Sequence, residues 1–192
     1  MRLAESPVMS SSLGFGQDGS DSRTETLSDG REIRCVGSGP FSDLRPSYIA
    51  VSPIEVVRKE SHCLFRSLID GDTPASRTSA SIYNATYVGI VQGEETFETY
   101  SGALEGGPHG IIHSALGGEM NPTTSPNGEL CLIFGSSWLT APEPLFFLHH
   151  AQVDRLWWKW QQENLAEREF DYASTTAHRN TSQTTAASGS PS

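Results

Sequence analysis

Four of the six histidines of this chain fall in two short segments. One is His109-Gly-Ile-Ile-His113. The other is Pro144-Leu-Phe-Phe-Leu-His149-His150-Ala-Gln-Val-Asp154-Arg-Leu-Trp157. Imidazole nitrogen suits copper, zinc, iron and nickel, and three or four imidazoles from two helices can surround one such ion. His109 and His113 are four residues apart, so on a helix they share a face. His149 and His150 are neighbours and project about 100° apart on a helix, so both cannot easily serve one ion. Alone, the first segment also fits helical histidines that cap, pair or face solvent, and the second a core helix whose imidazoles bond to backbone carbonyls. Two such segments, each beside aromatic residues that exclude water, favour a metal.

The elements that must position these residues are read from periodicity and turn signals. Phe146, His150, Val153, Trp157 and Trp160 recur at helical spacing, which predicts a helix running to about Glu163, with Thr140 as N-cap and Pro142 near its first turn. Gly106-Gly-Pro108 leads into the first histidine segment and Gly117-Gly118 closes it, as glycine does after a helix. Upstream, the sequence predicts short helices over His62–Ile69 and Ser79–Tyr87, and Thr96–Leu104 leads towards the histidines. Residues 33–60 suggest short extended pieces around turns. Residues 1–32 read as polar coil and residues 173–192 as a disordered tail.

At 192 residues the chain can bury one real core, but its hydrophobic fraction of 36% and abundant Gly and Pro imply much irregular chain. The fold expected is mainly α with extensive coil. A net charge of −10 disfavours nucleic-acid and anionic-membrane partners. No run reaches the roughly 18 apolar residues of a membrane span, and the first residues lack the apolar stretch of a secretory signal. Three cysteines are too few for a disulfide framework or a cysteine zinc site. Cys35 and Cys63 can form one bridge in an oxidising compartment, leaving Cys131 over.

Taken together, these segments resemble a known family. His109-x-x-x-His113, Gly117-Gly-x-Met120 and the run from Pro144 to Trp157 resemble the second-copper (CuB) half of tyrosinases, catechol oxidases and molluscan haemocyanins. Gly14-Phe-Gly16, Cys35-Val-Gly-Ser-Gly-Pro-Phe41 and His62-Cys-Leu-Phe-Arg66 resemble fungal short tyrosinase-like proteins and extend the likeness over residues 14–172. The resemblance implies a two-copper centre inside a four-helix bundle, with three histidines on each copper. By position, His109, His113 and His150 would hold the second copper. His149 and Asp154 would lie just outside the ligands and orient them. The implied chemistry uses O2 to hydroxylate monophenols or to oxidise o-diphenols to o-quinones, with phenolic or catecholic small molecules as substrates. O2 carriage needs the same two coppers, and nothing in this short acidic chain favours it.

The sequence also departs from the family. Upstream of His109 it offers only His62 and no Trp-His-Arg segment, so the first-copper (CuA) helices are expected to be missing and at most one copper to bind. The chain then reads as a truncated half, or as a single-copper remnant inactive on its own. Residues 33–172 would form the tyrosinase-like domain, with residues 128–142 an inserted loop. Gly110 stands where classical tyrosinases often carry an Asn proposed to help deprotonate monophenols, which implies o-diphenol oxidation rather than monophenol hydroxylation. Without the CuA helices, Phe146, Phe147 and the tryptophans would leave an apolar patch prone to self-association.

Overall fold

The polar amino-terminal third does not stay coil. In the computed structural model, which describes residues 3–51, 56–120 and 143–171, β1 (Gly19–Thr26) and β2 (Glu32–Val36) pair antiparallel. The turn between them uses Gly30 at φ 85°, where a side chain would be strained. β3 (Tyr48–Val51) and β4 (Val56–Lys59) form a second two-stranded sheet. Residues 1–32 are therefore not the polar coil expected: β1 is half-exposed, so its sequence is polar even though its backbone is paired.

The expected helix over His62–Ile69 is absent. This segment is extended and bridges β2 at Cys35–Phe65. Its partners explain why: Cys63 is disulfide-bonded to Cys35 with Cα atoms 5.6 Å apart. The Ser67 and Ile69 N–H groups donate to the Leu116 and Ala115 carbonyls, 3.2 and 2.8 Å away. Tertiary pairing overrides local propensity.

Helices dominate the rest, as the mainly α expectation has it. α1 (Pro74–Ile82) starts on a Thr73 cap, with Pro74 in its first turn. α2 (Ala85–Gln92) starts on Asn84, which accepts from the Tyr87 N–H and donates to the Ala80 and Ser81 carbonyls. The expected single helix over 79–87 is therefore two, joined by one asparagine that closes the first and opens the second. α3 (Phe97–Leu104) leads through a wide turn, Glu105–His109, into α4 (Gly110–Leu116). α5 (Pro144–Glu163) is the longest helix, followed by α6 (Leu165–Arg168). Its N-cap is Glu143, whose carboxylate accepts from the Leu145 N–H, so the helix begins later than a Thr140 cap would have it. Thr140, Pro142, residues 128–142 and residues 173–192 lie outside the described residues.

The buried apolar side chains form three small cores. Leu27, Ile33, Cys35, Ile49 and Cys63 pack between the sheets. Met9, Ile112, Leu116, Met120 and Leu145 join the amino-terminal arm to α4 and the start of α5. Val91, Tyr100, Leu104, Leu156 and Trp160 join α2, α3 and α5. The buried stripe of α5 is Leu145, His149, Leu156 and Trp160, one position round from the stripe expected through Phe146 and His150. α5 thus carries its histidine pair between two apolar cores.

Candidate metal centre

The end of the wide turn, α4 and α5 bring all four clustered histidines together. His113 sits one turn after His109, as the four-residue spacing requires, and its Nε2 lies 3.2 Å from the Nε2 of His109. The Nε2 of His150, from α5, lies 3.3 Å from the same His113 atom. His149 stacks on His109 with ring centroids 5.3 Å apart, and its Nε2–H donates to the His109 carbonyl at 3.1 Å. His109, His113 and His149 also bring one ring nitrogen each within 4.8 Å of one another. Phe146 covers the His150 ring at a centroid distance of 4.1 Å.

The outer nitrogens decide what the inner ones can do. His113 Nδ1–H donates to the Met120 carbonyl at 2.9 Å. His109 Nδ1–H donates to the Glu105 carboxylate at 2.5 Å. A neutral imidazole carries one N–H, so with that proton on Nδ1 each ring turns a bare Nε2 lone pair inward. Two lone pairs 3.2 Å apart, with a third nitrogen close by, repel unless a cation sits among them. The donor set fits a borderline metal ion, copper included.

Electrostatics agree with this reading. Burial and repulsion from neighbouring imidazoles press His149 down to about 3 and His150 to about 4, and burial lowers His113 as well. These rings are neutral near pH 7, the form that binds metal. Glu105 is held below the usual carboxylate range by its hydrogen bond to His109, so it stays ionised.

Asp154, expected to orient His150, is exposed and lines an open cavity of about 870 Å³ beside that histidine. The carboxylate that touches the cluster is Glu105, which the sequence reading missed. The signal was present, because Glu105 lies four residues before His109. Gly106-Gly-Pro108 argued against a continuous helix there, and the wide turn restores the contact. Among the described residues, His62 stands apart from the cluster: its Nδ1–H donates to the Glu60 carbonyl and its Nε2 contacts Glu119. His178 lies outside the described residues.

The weaker sequence echoes turn out to be the frame. Arg66 is buried and grips Glu143 with two hydrogen bonds of 2.9 and 2.7 Å. Its remaining guanidinium nitrogen donates to the carbonyls of Phe15, Gly16 and Gln17 at 3.0, 2.8 and 3.1 Å. One side chain thereby ties the amino-terminal arm to the N-cap of the helix that carries His149 and His150. Among the described residues, no helix is long and apolar enough to cross a membrane.

Comparison with known proteins agrees with this geometry. Residues 4–163 match the common central domain of tyrosinase. The tyrosinase-like protein phomQ2 of Diaporthe leptostromiformis is 34% identical over 181 residues, covering 94% of this chain and 40% of that protein. Tyrosinase ustQ of Aspergillus flavus is 32% identical over 164 residues, covering 85% of this chain and 39% of its own length. A shorter match, 42% over 60 residues, joins 31% of this chain to 9% of aureusidin synthase of Antirrhinum majus. The chain therefore spans about 40% of the length of the fungal relatives it matches. A domain match over most of the chain, converging on four clustered histidines, places it in the tyrosinase family.

Proposed function

We propose that this chain holds one copper ion through His109, His113 and His150 and forms the second-copper side of a phenol-oxidising centre. One observation carries the reading: the inward Nε2 atoms of His109 and His113 lie 3.2 Å apart and are joined by that of His150, 3.3 Å from the His113 atom. His150 is preferred to His149 as third ligand because the His149 Nε2 already donates to a backbone carbonyl. His149 instead packs under His109 and holds the backbone between the two helices. Copper bound here as one of a pair supplies the redox chemistry by which O2 oxidises o-diphenols to o-quinones.

The chain's own residues prepare the site for a phenol. Phe97, Val153 and Trp157 give the cavity beside His150 apolar walls that suit an aromatic ring. Glu105, ionised at the same cavity, orients His109 and offers an acceptor for a phenolic O–H. Gly110 brings no side chain to the site, which supports diphenol over monophenol chemistry. With both His62 nitrogens engaged, the described residues contain one histidine cluster, so the reading is one copper per chain. Oxidation then needs a second copper site beyond these residues. The outer side of α5, where Phe147 and Trp158 are 64% and 58% exposed, is the surface proposed for self-association, and a monodisperse monomer in light scattering counts against it.

Copper loading followed by elemental analysis and O2 uptake with an o-diphenol tests the proposal. The expected result is one copper per chain, lost in His113→Ala and His150→Ala, with no turnover by the chain alone. Two coppers per chain, or copper retained in both variants, overturns the ligand assignment. Turnover by the one-copper chain overturns the need for a second site.

A further inference from the structure

We propose that the buried His62–Glu119 pair is a positioning device for the metal centre, fixing the turn whose Met120 carbonyl holds His113. The inference rests on the metal-site reading above and assigns a role to two residues outside the histidine cluster.

The turn after α4 is built for close docking. Gly117 and Gly118 have φ of 57° and 52°. A Cβ at either would lie 2.5 Å from the Ser67 carbonyl oxygen or 2.2 Å from that of Phe65, so this backbone lies flat on the extended segment around Phe65. The Glu119 N–H donates to the Phe65 carbonyl at 3.2 Å and the Met120 N–H to that of Gly117 at 3.0 Å. Glu119 and His62 are 2% and 1% exposed and contact each other. His62 is anchored in turn by the Glu60 carbonyl at 2.8 Å and by its neighbour Cys63, cross-linked to Cys35.

The chain of contacts thus runs from the β2 disulfide through His62 and Glu119 to the Met120 carbonyl, and ends at His113 Nδ1. That last hydrogen bond keeps the proton on Nδ1 and leaves Nε2 bare towards the metal. Two apolar side chains in place of His62 and Glu119 would bury at no greater cost. What the pair adds is direction: a side-chain contact that, beside the Glu119 N–H bond to the Phe65 carbonyl, sets where the end of the turn sits.

The decisive variant is therefore His62→Phe with Glu119→Leu, which removes both partners together and is near-neutral for stability. Two readouts are taken. In the metal-free protein, long-range ¹H–¹⁵N imidazole spectra report which His113 nitrogen carries the proton. In the metal-loaded protein, Co(II) titration reports affinity and the ligand-field spectrum. The double variant is expected to lose the exclusive Nδ1–H form of His113 and to bind Co(II) about 10–100-fold more weakly. Glu119→Gln, whose side-chain amide can still hydrogen-bond the His62 Nε2, should recover the wild-type spectra. Leu27→Ala, a truncation in the core between the sheets, should lower the unfolding midpoint without moving either spectrum. A double variant with wild-type tautomer, affinity and Co(II) spectrum overturns the proposal. Failure of the wild-type protein to bind Co(II) would instead overturn the metal-site reading, and the tautomer measurement would still decide the role of the pair.

Discussion

Two groups of buried histidines in this chain sit in opposite electrostatic settings. His62 meets a carboxylate: burial alone would lower it, but Glu119 and the Glu60 carbonyl more than offset that, and its pKa lies above the ordinary 6.5. His113, His149 and His150 meet chiefly one another, and burial with mutual repulsion lowers all three. The first setting is complete, because every polar atom has a partner of opposite character. In the second, the Nε2 atoms of His109, His113 and His150 face one another. Buried polar groups are costly unless satisfied, so a cluster of inward lone pairs marks a place where function overrides stability.

The frame should therefore break harder than the cluster. Arg66→Ala leaves Glu143 as an uncompensated buried carboxylate at the start of α5, and removing one partner of such a pair costs about 3–5 kcal/mol. Urea unfolding of the metal-free chain should show a loss of this size. A loss no larger than that of a surface substitution would remove Arg66 from the frame.

Ligand substitutions should behave in the opposite way. Without metal, His150→Ala relieves crowding among imidazoles, so its unfolding midpoint should equal or exceed that of the wild type. The difference lies in the response to metal. At a free metal concentration 100 times Kd, the wild type gains about 2.7 kcal/mol by mass action, whereas His150→Ala should gain almost nothing. Differential scanning fluorimetry with and without Co(II) measures both. A metal-free destabilisation of His150→Ala as large as that of Arg66→Ala would erase the distinction between the regions.

The same contrast fixes two limbs of a pH profile. Groups with depressed native pKa lose stability as pH falls, since the unfolded chain takes up protons first. For His149 and His150 the contribution is complete above about 6.5 and is lost towards about 3 and about 4. His62 has a raised native pKa, so its contribution is complete below 6.5 and is lost as pH rises through its native value. Denaturation midpoints from pH 4 to 9 should show a shallower acid limb in His150→Ala and a shallower alkaline limb in His62→Gln. Identical profiles in all three proteins would show that these titrations do not govern stability.

What the sequence made legible follows from range. The histidine spacing and the helical period of α5 are local: the spacing and the helix survive into the structure, while the buried stripe lies one position round from the one the period marked. The Asp29-Gly30 pair is also a local hairpin signal, but its flanking strands are polar, so the alternation that would have exposed it is muted. Residues 62–69 look helical by composition, and only the Cys35 bridge and the carbonyls of Ala115 and Leu116 make them extended. Arg66 and Glu143 are 77 positions apart, and nothing local announces their meeting. Glu105 lay within reach of reasoning, four residues before His109, but the glycines and proline between them obscured the wide turn that closes the gap.

That wide turn carries the smallest prediction and gives the Gly110 departure a physical cause. The Gly110 N–H bonds to the Glu105 carbonyl, and a Cβ at Gly110 would lie 2.7 Å from that same oxygen. The Asn often found there in classical tyrosinases cannot enter without displacing Glu105, and Glu105 holds His109. Gly110→Asn should therefore cost about 1 kcal/mol, at the low end of overpacking penalties, and should weaken Co(II) binding through the displaced His109. It should not confer monophenol hydroxylation on the copper-loaded chain. Unchanged stability and affinity in Gly110→Asn would mean that the turn can relax around a side chain, and Gly110 would then be a freedom of this chain rather than a requirement of its geometry.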